Sequence, residues 1–170
     1  AEAKGRHTWF SLDGSLKPFL GASKAGHIFV VVDSCFAGQL FKQRSGGEFE
    51  EDTREYETIL EDYKKLSSRL GLTSSNLREI PDSGYYDRNH SLFAKAFIEI
   101  LENNSKSYIS SAELSFLMKN KIDDMREGLS DDMYDIFKHI KLQYNNISGA
   151  KHETGGEFYF DLQAQHSSLN

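Results

Sequence analysis

Residues 28–32 form an unbroken apolar, largely β-branched run, the pattern of a strand buried on both faces of a sheet whose neighbours run mostly parallel. Gly26 stands before the run and Gly38 after it. Over residues 54–67 the apolar positions Tyr56, Ile59, Leu60, Tyr63 and Leu66 return at helical spacing among charged residues, which predicts an amphipathic helix. Residues 68–76, SRLGLTSSN, are short, interrupted by Gly71 and bounded by turn-formers; they predict a second strand. The strongest helical signal spans residues 91–103, where Leu92, Phe93, Ala96, Phe97, Ile100 and Leu101 make one wide apolar stripe. Ser110, with Glu113 three residues on, is a capping signature. It opens a helix whose Leu114, Leu117, Met118 and Met125 face inward. Residues 131–143 predict a further helix through Met133, Ile136, Phe137 and Ile140. In TGGEFYFDL, residues 154–162, Phe158 and Phe160 alternate after paired glycines, the form of a closing strand. Residues 163–170 read as a frayed tail.

Strands alternating with helices make an α/β sandwich, yet only three strands are visible, so the sheet reads as incomplete. At 170 residues the chain has the size of one domain and can bury a core without disulfides or a metal. Residues 46–52, GGEFEED, read as a solvated loop. The same acidic stretch is also a candidate regulatory segment or divalent-cation site.

A formal charge of -6 with no dense Lys/Arg stripe argues against a nucleic-acid partner, whose phosphates demand clustered positive charge. Protein or peptide partners fit better. One cysteine cannot form an internal disulfide, and no apolar run approaches the ~18 residues of a membrane span. The first ten residues carry no apolar signal core. These features predict a soluble, cytoplasmic protein.

That single cysteine, Cys35, stands in HIFVVVDSCFAGQLF, just past the predicted end of the first strand. Chemistry in open α/β sheets collects at the carboxyl ends of strands, where side chains and loop amides converge. There a thiol becomes a nucleophile if a histidine takes its proton and backbone amides hold an oxyanion. Cysteine is also among the most often buried small residues, which gives it a purely structural reading.

VVVDSCFAGQL resembles the nucleophile motif of the caspase-like cysteine peptidases, nearer the metacaspases and their bacterial relatives than the animal caspases. The animal signature is Gln-Ala-Cys with a glycine two residues after the cysteine; here Asp33-Ser34-Cys35 is followed by Gly38. SSRLGLTSSN resembles the family's substrate-binding strand, RNHSLFAKAFIEIL the long helix after it, and GGEFYF its last strand. The resemblance covers most of residues 28–160. It implies the three-layer caspase-hemoglobinase sandwich with a mostly parallel central sheet, its first strands missing from this chain. It implies a Cys/His dyad that hydrolyses peptide bonds through an acyl-enzyme, with no metal in the chemistry and no cofactor, although some metacaspases are calcium-activated. Carried over, Cys35 matches the nucleophile. Asp33 matches the acidic residue of the pocket for the side chain before the cut, where a carboxylate favours Arg or Lys. Capping of the following turn is the alternative role for Asp33. Thr73 and Ser74 match the substrate-binding strand by order alone, and ordinary strand-end hydroxyls are the alternative.

The dyad's histidine is not where the family keeps it. In caspases it lies about 50 residues before the cysteine, a position that here falls before Ala1. His27 begins the strand that ends near Cys35; eight residues at ~3.3 Å each place it ~26 Å away, at the wrong end of the sheet. His7, in GRHTWFSLDG, stands in a segment resembling the loop that follows the family's catalytic histidine, but no strand precedes it. His90, His139, His152 and His166 lie downstream in helix or loop contexts. The expectation is a peptidase domain whose first strands and histidine come from a companion segment. The competing expectation is a scaffold that kept the fold and the thiol without the base.

Overall fold

The computed structural model describes residues 11–34, 40–41, 54–74, 89–138, 140–147 and 149–162. A π-helical turn, Leu12–Leu16, runs into helix α1, Lys17–Ala22. Strand β1 is His27–Val32, helix α2 Tyr56–Lys65 and strand β2 Ser68–Thr73. Helix α3, Leu92–Glu102, is followed by strand β3, Tyr108–Ser110, and helix α4, Ser111–Glu127. Helix α5, Asp131–Phe137, leads to strands β4, Gln143–Asn146, and β5, Tyr159–Asp161.

Serine hydroxyls set where two of the helices begin. Ser91 Oγ accepts from the Ala94 amide and starts α3, while Ser110 Oγ accepts from the Glu113 amide and starts α4. Each satisfies an amide that the first helical turn leaves without a partner. From there α3 buries Leu92, Phe93 and Ala96, and α4 buries Leu114, Met118 and Ile122. These side chains meet Leu72, Ile109, Phe137, Ile140 and Leu162 in the main core.

The central sheet has the order β1-β2-β4. β1 and β2 are parallel, with His27 opposite Ser68 and Val32 opposite Thr73, whereas β4 is antiparallel to β2. Apolar residues pack on both faces of β1, but the expected full burial is not met: its residues are only partly buried and Val31 is exposed, because β1 is an edge of the described sheet. Phe29 packs with the main core, and Ile28, Val30 and Val32 pack with Leu20, Leu40, Phe41 and Ile147 on the opposite face. Gly71, in the middle of β2, is what admits the second group. A Cβ there would lie 2.9 Å from Phe41 Cε1 and 3.0 Å from Leu40 Cδ2.

The expected mostly parallel sheet is corrected here. The fold is mixed α/β with a small mixed sheet, because only β1 and β2 run parallel and β4 enters beside β2 in the opposite direction. The helix expected over 131–143 stops at Phe137. Ile140 donates its amide to Phe137 O at 3.0 Å, so a turn carries Ile140 into the core at the spacing a helix would have used. The closing strand also differs from expectation: β5 pairs antiparallel with β3 in a separate two-stranded sheet. β3 has three residues and β4 reads QYNN; neither carries enough alternation to announce a strand. The expected frayed tail, 163–170, lies outside the described residues.

The two sheets are joined by aromatic packing and by a buried polar knot. Phe29 of β1 lies 5.5 Å from Phe158 and 5.6 Å edge-on from Phe160. Beside them the Glu157 carboxyl accepts from Ser111 Oγ, from its neighbour's Phe158 amide at 2.8 Å and from the Tyr144 hydroxyl at 3.1 Å. Tyr144 comes from β4, Ser111 from the start of α4 and Glu157 from the approach to β5. Burial pushes the Glu157 carboxyl up from its ordinary value, and burial with the adjacent Glu157 charge pushes the Tyr144 phenol up.

A raised folded-state value means that folding favours protonated Glu157. Its contribution is full below the ordinary value of 4.5 and is lost as pH rises through the folded value. Glutamine keeps the shape and cannot ionise. The urea midpoint of wild type should therefore fall relative to that of Glu157→Gln as pH rises from about 4.5 to 8; an offset constant across that range would rule out a Glu157 that folds preferentially protonated.

Candidate functional site

At the carboxyl end of the parallel pair, the Ser74 amide donates to Val32 O at 3.2 Å and closes the ladder. The chain then turns outward through Asp33 and Ser34, both exposed. Asp33 does not dangle in solvent: Ser91 Oγ donates to its Oδ2 while accepting from the Ala94 amide at 2.9 Å. The hydroxyl that starts α3 thus also holds the Asp33 carboxylate at that helix's N-terminus, where the aligned peptide dipoles favour negative charge. The sequence announced Ser91 as a helix start, but nothing in it joined positions 58 residues apart.

Thr73 and Ser74 end β2 at the same edge, and both are fully buried. Ser74 Oγ has no hydrogen-bond partner among the described residues. A buried hydroxyl left so is destabilising by roughly 1–3 kcal/mol. The structure therefore brings Asp33, Thr73 and Ser74 together, with Asp33 accessible and the two hydroxyls enclosed. Cys35 and His7 lie outside the described residues, as do His139, His166 and the acidic stretch 46–52. His90 is exposed and precedes Ser91, at the same end of the sheet as Asp33.

The opposite end is polar as well, in a way that sequence reading missed. The Arg69 side chain, within β2, is 4% exposed. Its guanidinium donates to Gly26 O at 2.7 Å, to Ser68 O at 2.8 Å and to Ala25 O. Carbonyls rather than carboxylates surround this charge, and they fix the loop that enters β1. A lone arginine inside an otherwise apolar strand was the available signal. His27 stacks on Tyr63 with ring centroids 3.6 Å apart, and its Nδ1 lies 3.2 Å from Ser68 Oγ. His152 Nδ1 accepts the Arg69 amide at 3.2 Å. Burial first, then the Arg69 charge, lowers the pKa of His152; burial is also the largest cause of the lowering at His27. Both rings are engaged far from Asp33, in keeping with the strand-start position expected of His27.

Among the described residues no three His, Cys, Asp or Glu side chains converge to hold a metal ion, and no helix is long and apolar enough to cross a membrane. No protein family, curated protein or solved structure matches this chain.

Ser91→Ala removes a helix cap and the tether of Asp33 together. It should cost about 1 kcal/mol of stability from the cap alone, read as a lower urea midpoint, and Ser91→Thr should recover most of it. Equal loss in both variants would show that the hydroxyl is not the group that matters.

Proposed function

We propose that this chain is the thiol-bearing part of a caspase-like cysteine endopeptidase of metacaspase or bacterial type, cutting polypeptides after Arg or Lys. The supporting observation is the setting of Asp33. It stands past the carboxyl end of the parallel β1–β2 pair, held by Ser91 at the start of α3, and Cys35 follows two residues later in sequence. Reacting groups of open α/β sheets gather at such an edge.

In the proposed mechanism a histidine takes the Cys35 proton, and the thiolate attacks the scissile carbonyl carbon. Backbone amides hold the oxyanion, the amine leaves with the histidine's proton, and water then cleaves the thioester. The histidine comes from a companion segment or from His7. Asp33 pairs with the basic side chain before the cut, while Thr73 and Ser74 support the strand end against which the peptide lies. The companion's strands would add beside β1, which is only partly buried where β2 is wholly buried. No cofactor enters the chemistry, and divalent-cation activation through residues 48–52 is the one metal role the reading allows. A reducing cytoplasm would keep the lone thiol active.

A noncatalytic scaffold is the second reading, favoured by the placement of His27 and His152 at the far end of the sheet. Alkylation separates the two, since an activated thiolate reacts fast near neutral pH and a buried structural thiol hardly at all.

Fluorogenic peptides ending in Arg or Lys should be cut by the protein and not by Cys35→Ala. Asp33→Ala should lower kcat/KM for Arg peptides by about ten- to a hundredfold, the worth of a hydrogen bond to a charged group, with Cys35 still alkylated at the wild-type rate. Unchanged Arg preference in Asp33→Ala would reject the pocket assignment. Absent cleavage with a slowly alkylating Cys35 would favour the scaffold.

A further inference from the structure

Next to this edge the molecule holds a cationic cavity that the peptidase reading does not use. It has a volume of about 330 Å³ and lies between α4 and the segment leading from α5 into β4. Ile122, Ile140 and Leu142 give it an apolar wall, and Lys119 and Lys141 give it positive charge. Its remaining charges, Asp123 and Lys138, are paired with Arg126 and Asp135. Lys119 and Lys141 are exposed and have no acidic partner among the described residues. In a chain of net charge -6 this is a local concentration of the opposite sign. Its size and its mixture of apolar wall and charge suit a small group with a carboxylate beside an apolar stem.

Its place relative to Asp33 follows from the register. Gln143 opposes Thr73, the last residue of β2, so residues 140–142 run past the same end of the sheet from which Asp33 emerges. Two strand spacings separate β1 from β4, which puts the entry to β4 about 10 Å from Asp33. An extended peptide covers that span in about three residues.

We propose that this cavity is an accessory recognition site for an acidic side chain of a polypeptide substrate, engaged about three residues from the basic residue that faces Asp33. The spacing rests on the peptidase reading; the preference for an acid rests on the cavity alone. Such a site would make the enzyme selective for sequences that pair a basic residue at the cut with Glu or Asp nearby, and the selectivity would fade as salt screens the exposed lysines.

The test is binding rather than cleavage, on the full chain carrying Cys35→Ala, with fluorescein-labelled peptides read by anisotropy at low ionic strength. The probes are Glu-Leu-Ala-Arg-Ala-Leu-Gln, Gln-Leu-Ala-Arg-Ala-Leu-Glu and the same peptide with Gln at both ends. One of the acidic peptides should bind about three- to tenfold more tightly than the neutral one, as expected for two exposed charge contacts. Lys119→Glu with Lys141→Glu should abolish that preference, and Lys119→Arg with Lys141→Arg should keep it. Equal binding of all three probes, or a preference that survives the double reversal, would overturn the proposal. Asp33→Asn keeps the two ideas apart. Loss of the acid preference on that change alone would overturn a separate acid site. An acid preference that needs both lysines, in a protein that neither cuts nor prefers Arg, would sink the peptidase reading and leave the cavity's role intact.

Discussion

Strand β2 is enclosed on every side, and the rest of the chain is arranged around that enclosure. Its six residues are all buried, paired in parallel with β1 and antiparallel with β4. A strand in that position must satisfy each polar group it carries, because water is not at hand to do so. Arg69 meets the demand at its two terminal nitrogens with backbone carbonyls of residues 25, 26 and 68, pinning the loop that feeds β1, while its Nε has no hydrogen-bond partner among the described residues. Gly71 meets a steric form of the same demand, giving up a side chain so that Leu40 and Phe41 can close one face. At Ser74 Oγ the demand goes unmet among the described residues, and that atom lies at the edge where Asp33 emerges.

The two ends of the sheet differ in what their polar groups are free to do. At the amino end, His27, Ser68, Arg69 and His152 are committed to one another and to the loop before β1. Burial keeps both imidazoles less basic than usual, so they act there as neutral hydrogen-bonding groups. At the carboxyl end, Asp33 is exposed but held through Ser91 to the start of a long apolar helix. A carboxylate that is fixed and accessible at once can pair with an incoming cation without first losing much side-chain freedom.

The polar knot of Ser111, Tyr144 and Glu157 serves a different purpose. It joins the start of α4, β4 and the approach to β5 by hydrogen bonds. Directional hydrogen bonds in a low-dielectric interior specify one arrangement where apolar packing tolerates several. Phe29, reaching from β1 to Phe158 and Phe160, supplies the area between the sheets, and the knot supplies the register.

What the sequence determined by itself were features carried by neighbours along the chain. The apolar run of β1, the stripes of α3 and α4 and the Ser110 cap all rest on spacings of a few residues, and each stands in the structure within a residue or two of its expected place. Tertiary structure alone decided the direction of β4, the separate β3–β5 sheet, the carbonyl cage of Arg69, the tether of Asp33 to Ser91 and the placing of Lys119 and Lys141 on one cavity. Short polar segments such as QYNN adopt whatever partner the core offers, because their own periodicity is too weak to choose. Contacts between residues 44 or 58 apart in sequence leave no local pattern to read, and burial and strand pairing create them only once the chain has closed.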